Sequence, residues 1–271
     1  MKSNIVKMCL SAFFFIGGMI FARAMQVDYV SFKPSVGAFS LSADGRVATI
    51  CVDTADYKGV RLAARNLGTD IGRVTGTAAD VSMSSPSKRG VVVAGTIGRN
   101  RQIDEWVKQG KLDVSAIEGK WESYLIQTVD GNLVIAGSDK RGTIFGIYDL
   151  SEKIGVSPWH YFADVPTQRH AELYVKPGRY VQDSPKVKYR GIFLNDEWPS
   201  LGGWASKKFG GFNSRFYAHV FELLLRLKAN YMWPAMWASS FYEDDPANGQ
   251  LADDMGIVMG TSHHEPMMRP H

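Results

Sequence analysis

Two short clusters carry the residue types that acid–base chemistry requires. Asn195-Asp196-Glu197-Trp198 sets two carboxyls beside an amide and an indole, and Thr261-Ser262-His263-His264-Glu265-Pro266 sets two imidazoles beside a third carboxyl. Between them stands Trp233-Pro-Ala-Met-Trp237. Carboxyls of this kind can exchange protons with a reacting group or stabilise positive charge on a sugar ring. Indoles interleaved with acids and amides suit a carbohydrate cleft, where rings cover sugar faces and polar groups bind hydroxyls. On an extended chain Asn195 and Glu197 share one face and Asp196 takes the other, so all three enter one cleft only if the strand bends. His263 and His264 likewise diverge on a strand, whereas zinc wants several convergent ligands. Either both histidines contact a ligand, or one does and the other hydrogen-bonds inside the fold. Glu265 is open between an acid role and pairing with Arg269. No metal is expected there.

Each cluster ends a short apolar run: Arg190 to Asn195, Asn230 to Trp237 and Gly256 to Gly260. Site-like residues at the C-terminal ends of successive strands are the arrangement of a parallel α/β barrel. The runs are joined by helical patterns. Asn213 is a plausible N-cap, because its side chain can accept an early backbone N–H. Phe216, Val220, Leu223, Leu224 and Leu227 then form one apolar stripe, with Arg215, Glu222, Arg226 and Lys228 expected on the other side. Leu251 to Met255 supplies a shorter second helix, and Asp244-Asp245-Pro246 reads as a turn with a capping role.

From Phe39 to Val175 strands and helices alternate. Asp44-Gly45 and Asp130-Gly131 are hairpin signals, the first between Phe39–Ser42 and Val47–Val52, the second between Glu122–Val129 and Leu133–Ala136. Tyr57 to Ile71 has helical spacing, Gly90 to Gly95 is a continuous apolar strand, and Ile103 to Gln109 is a second helix. Gly137-Ser-Asp-Lys-Arg-Gly-Thr143 fits no nucleotide-binding spacing and reads as a strand-to-helix turn with capping, leading into an apolar helix from Ile144 to Ile154. Ala171 to Pro185 reads as a strand plus linker. The expected fold class is therefore α/β: an N-terminal α/β accessory domain over residues 25–185, followed by the first part of an incomplete (β/α)8 TIM barrel over 186–271. Such a barrel takes about 250 residues, so this chain is expected not to close it alone and to show little activity by itself.

The first 24 residues look like an export signal. Lys2 and Lys7 form a basic start, Met8 to Phe21 is apolar, and Ala22-Arg23-Ala24 is a small-x-small cleavage site. The apolar run is shorter than the roughly 20 residues a membrane span needs. A periplasmic or secreted location follows, with Cys51 the lone cysteine of the mature chain and a buried small residue in expectation. The net charge of +4 falls to 28 Lys and Arg against 27 Asp and Glu once Lys2, Lys7 and Arg23 leave with the leader. That balance gives no electrostatic case for nucleic acid or an anionic membrane.

Taken in order, Arg190-Gly-Ile-Phe-Leu-Asn-Asp-Glu-Trp198, Phe209-Gly-Gly-Phe-Asn213, Val220 to Trp237 and Gly256-Ile-Val-Met-Gly-Thr-Ser-His-His-Glu-Pro-Met267 resemble glycoside hydrolase family 115, the xylan α-glucuronidases. Asp139-Lys-Arg-Gly-Thr-Ile-Phe-Gly-Ile-Tyr-Asp149 with Pro158-Trp159 is similar to that family's N-terminal α/β domain. The resemblance implies an inverting, exo-acting enzyme that removes glucuronic acid or its 4-O-methyl ether from α-1,2 linkages on xylan, without metal or cofactor. It implies catalytic or sugar-orienting roles for Asp196 and Glu197, and substrate contacts from Asn195, Trp233, Trp237, His263, His264 and Glu265. The partner is then glucuronoxylan or its oligosaccharides, and a homodimer of the full-length protein is a further expectation. Two other readings stay open: another barrel glycosidase resembling β-N-acetylhexosaminidases, and a non-catalytic carbohydrate-binding remnant.

Overall fold

The computed structural model of the protein describes residues 28–86, 89–234 and 239–260. The expected leader, Trp237, His263, His264 and Glu265 lie outside the described residues.

The N-terminal part holds two sheets. β1 (Val30–Ser31), β9 (Leu173–Val175), β2 (Phe39–Ala43) and β3 (Arg46–Val47) form an antiparallel sheet in that order. The second sheet runs β10 (Arg179–Gln182), β7 (Tyr124–Val129), β8 (Asn132–Gly137), β6 (Val92–Thr96), β4 (Ile50–Cys51) and β5 (Val81–Ser82). Its β8, β6, β4 and β5 are parallel neighbours, while β7 and β10 are antiparallel. Both Asp-Gly signals are turns. Asp44 and Gly45 have φ of 51° and 70°, and Asp130 and Gly131 have 49° and 79°, the doubly positive φ that favours two-residue hairpins.

The expected strand from Val47 to Val52 is instead divided between the sheets. Val47 pairs with Ser42 in the first, and Ile50 pairs in parallel with Val81 and Val92 in the second. The segment expected as strand plus linker contributes β9 to the first sheet and β10 to the edge of the second. Cys51 is buried.

Helix α1 (Lys58–Thr75) buries Val60, Ala63, Ala64, Leu67, Ile71 and Val74, and stops at Gly76, whose φ of 94° suits a residue without Cβ. α2 (Arg101–Lys108) lies beyond β6, with the Asn100 side chain accepting from Ile103 N–H. The Gly137–Thr143 stretch is a capped turn: Asp139 Oδ1 accepts from the Gly142 amide at 2.7 Å and opens α3 (Lys140–Lys153).

The rest of the described chain is a small parallel sheet with its crossovers. β11 (Gly191–Phe193), β12 (Tyr231–Trp233) and β13 (Val258–Met259) pair in that order. Between β11 and β12 lie α4 (Leu201–Phe209) and α5 (Ser214–Arg226), and α6 (Ala247–Met255) leads into β13. As expected, Asn213 caps α5, its Oδ1 accepting from the amides of Arg215 and Phe216. Asp245 also caps, with one carboxylate oxygen on the Ser214 amide and the other on Ala247. Hydrogen bonding from the Ser214 hydroxyl and these amides holds its carboxyl below the usual carboxylate range.

One contiguous apolar core crosses both parts. It runs from Leu41, Ile50, Leu67 and Phe145 to Phe216, Phe221, Leu224, Met232 and Ile257. Gly59 lies so near α6 that a Cβ there would stand 2.4 Å from the Asp254 carbonyl oxygen. Ion pairs line the same seam: Arg226–Asp70 at 2.8 Å, Lys228–Asp149 at 2.6 Å and Lys58–Asp254 at 3.1 Å. Two residues of α5 and its end therefore depart from the sequence expectation. Arg226 is 4% exposed, because its guanidinium finds Asp70 on α1, and Leu227 is 43% exposed, because it lies at the helix end.

Candidate functional site

Strand alternation governs the first acidic cluster. Just beyond β11 the ladder continues for one residue, with Leu194 N–H donating to the Trp233 carbonyl at 3.0 Å. Asn195 and Glu197 are exposed, whereas Asp196 between them is 2% exposed. The separation of Asn195 and Glu197 from Asp196 is the one that a period of two requires.

The exposed pair lies beyond an aromatic face. Phe193 and Trp233 are register partners across β11 and β12, with ring centroids 5.8 Å apart in an edge contact. Trp233 Nε1 donates to the Tyr231 hydroxyl at 2.6 Å, which fixes the indole over the strand. Ile192, Phe193 and Trp198 are all more than two-fifths exposed, so apolar surface borders the acids. Asn195 Oδ1 accepts from the Glu197 amide at 3.3 Å, and the Glu197 carbonyl accepts from the Ser200 hydroxyl at 3.1 Å. These bonds hold the turn and leave the Glu197 carboxylate facing solvent.

Asp196 faces the other way. It lines a polar cavity of about 330 Å³ with Trp198, Ser206, Gly210, Asn213, Ser239 and Asp244. That volume lies at the small end of ligand pockets, roughly 300–1,000 Å³. The cavity is built by the segment that follows β11, by α4 and the α4–α5 turn, and by Ser239 and Asp244 ahead of α6. Gly202 packs closely beneath the Asp196–Trp198 segment, since a Cβ there would stand 2.5 Å from the Asp196 carbonyl oxygen and 2.7 Å from the Trp198 indole nitrogen.

Asn195, Glu197 and Trp233 thus belong to the rim where β11 and β12 end, and Asp196 lines the cavity behind it. No cluster of His, Cys, Asp and Glu among the described residues could hold a metal ion. The cavity-lining Ser206, Asn213 and Asp244 were not singled out as site residues from sequence. Asn213 drew attention as a helix cap and as the end of one family-like motif, and the proximity of the α4–α5 turn to Asp196 is a tertiary fact.

An α/β unit packed on a small parallel sheet is an architecture that the chain shares with solved glycosidases. Residues 182–271 match the family model for glycosyl hydrolase family 115. Over 83% of its length the chain is 34% identical to a solved family GH115 4-O-methyl-α-glucuronidase with specificity for decorated arabinogalactans, at a TM-score of 0.72. The chain belongs to glycosyl hydrolase family 115. It spans 30% of the length of that neighbour.

Two more distant structures share the fold. A Flavobacterium johnsoniae chitobiase is 12% identical at a TM-score of 0.50, over 87% of this chain and 33% of its own. A Streptomyces plicatus N-acetyl-β-hexosaminidase is 12% identical at 0.50, over 84% and 43%. No curated protein sequence matches the chain.

Proposed function

We propose that the protein to which these residues belong is an exported α-glucuronidase, releasing glucuronic acid or its 4-O-methyl ether from α-1,2 linkages on a plant polysaccharide with inversion. The observation that carries this reading is the exposed Glu197 and Asn195 beyond the Phe193–Trp233 face, in a chain of family 115. Glu197 is placed to exchange a proton with the glycosidic oxygen or an attacking water. Inversion needs a second carboxyl about 6.5–9.5 Å away to leave room for that water, and in this reading it comes from another strand. Asp196, buried at the wall of the cavity behind the rim, is assigned to orienting the sugar indirectly, through the turn it shares with Glu197. Trp233 supplies a face for the ring, and Trp237, His263, His264 and Glu265 are assigned to the uronate.

Glucuronoxylan is the proposed polymer. Decorated arabinogalactan is the second candidate, favoured by the specificity of the 34%-identical neighbour. The test is uronic acid release from both polymers by the full-length protein, with the anomer followed by NMR. Replacing Glu197 by Gln is expected to lower kcat by about 10²–10⁴. Release of N-acetylhexosamine without uronate, or xylan retention without hydrolysis, would replace this reading with one of its two rivals.

A further inference from the structure

Glu122 is a wholly buried carboxylate that the proposed reaction does not use. Its side chain has no exposed surface, and its backbone has a φ of 53°, held by a bond from its amide to Asp139 Oδ2 at 2.9 Å. Oε1 accepts from Arg141 Nε at 2.5 Å and from Asn230 Nδ2 at 2.6 Å, and Oε2 accepts from Arg190 Nη2 at 2.6 Å. These partners reach the starting ends of all the strands in the small parallel sheet. Arg190 immediately precedes β11, and Asn230 immediately precedes β12. Arg141 Nη1 donates at 3.2 Å to the carbonyl of Gly256, two residues before β13.

The partners are also tied to one another. Asn230 Oδ1 accepts from the Arg190 amide at 3.0 Å, its Nδ2 donates to the Lys188 carbonyl at 2.7 Å, and its carbonyl accepts from the Val258 amide at 2.8 Å. The Arg190 guanidinium closes on the Lys228 carbonyl at 2.6 Å. Met232 anchors β12 in the core, so β11 is the strand with least else to fix its phase. β11 is a flanking strand of three residues, all exposed. A slip of one residue would send every side chain of such a strand to the opposite face.

We infer that Glu122 is a positioning residue: one carboxylate from the N-terminal part sets the register of β11, β12 and β13, and so the facing of Asn195, Glu197 and Trp233 at their far ends. Charge-assisted bonds suit this role because they are short and directional. A glutamine at position 122 would keep the shape but turn its amide donor toward either Arg190 or the pair Arg141 and Asn230. An aspartate would keep the charge but lose about one methylene of reach.

The test is amide hydrogen exchange on the whole chain carrying Glu122→Gln or Glu122→Asp. Exchange at residues 191–193, 231–233 and 258–259 is expected to rise at least about tenfold, while β6 and β8 change by less than about threefold. Aspartate should recover part of the protection. A uniform rise across both sheets, or no change in β11 to β13, would overturn the assignment. If Glu122→Gln does not fold, Asn230→Ser removes one contact and should expose β11 and β12 before β13; simultaneous exposure of all three would also overturn it. A second readout, which rests on the proposed α-glucuronidase reading, is a fall in kcat for uronate release with KM little altered. Exchange needs no substrate, so failure of the functional reading leaves the register result standing.

Discussion

Replacing Asp70 by Leu tests whether the seam between the two parts depends on its buried ion pair. The side chains of Asp70 and Arg226 are 2% and 3% exposed, and their charged atoms are 2.8 Å apart. Removing one partner of such a pair costs about 3–5 kcal/mol, because the other charge stays buried. Arg226 would keep Glu222 at 2.8 Å and remain stacked over the Tyr148 ring at 4.6 Å, which places the cost near the low end, about 3 kcal/mol. Arg226→Met should cost at least as much, since Asp70 would retain only Arg73 at 3.6 Å, a side chain 45% exposed. Removing both charges together should be close to neutral, because apolar residues of similar volume often replace a buried pair without loss. In urea titrations followed by circular dichroism, each single variant should lower the midpoint by about 1 M, with a slope of about 2–3 kcal/mol per M. The coupling in the double-mutant cycle should then be at least about 2 kcal/mol. A double variant that loses the sum of both single losses would refute the reasoning, and so would single losses below about 1 kcal/mol.

Gly202→Ala should push the Asp196–Trp198 turn outward, costing about 1–3 kcal/mol and altering the emission of exposed Trp198; an unchanged spectrum and melting temperature would show that the turn yields freely. Burial holds the pKa of His160 and of His219 below the ordinary value, with the nearby charges of Arg226 on His160 and Lys208 on His219 adding to it. The unfolded chain therefore binds more protons between the folded value and about 6.5, so stability is complete above that pH and declines as pH falls through the window. Replacing both histidines by Gln should flatten the melting-temperature profile between pH 7 and 5, and an unaltered slope would count against their burial as its cause.

The parts of the fold that were legible in the sequence are those set by near neighbours. Asp44-Gly45, Asp130-Gly131 and the Asn213 cap act over a few residues, and all were readable. So was the opposition of Asp196 to Asn195 and Glu197, which needs only the period of a strand. Glu122 was not readable as a site residue. Its partners Arg141, Arg190 and Asn230 lie 19, 68 and 108 positions away, and nothing local marks a carboxylate that will meet them. Arg226 was assigned to the solvent side for the same reason, since its partner Asp70 sits on a different helix. The division of Val47 from Ile50 between two sheets left no trace in composition, because both stretches read as strand.

The apolar core that runs unbroken from Leu41 to Ile257 bears on protein engineering. Swapping the N-terminal part for a foreign module at residue 185 would strip Phe216, Phe221 and Leu224 of their natural cover and leave Arg190 and Arg226 facing strangers. A chimera built from this enzyme family has to carry α1 and α3 along with the strands they support, as a single graft.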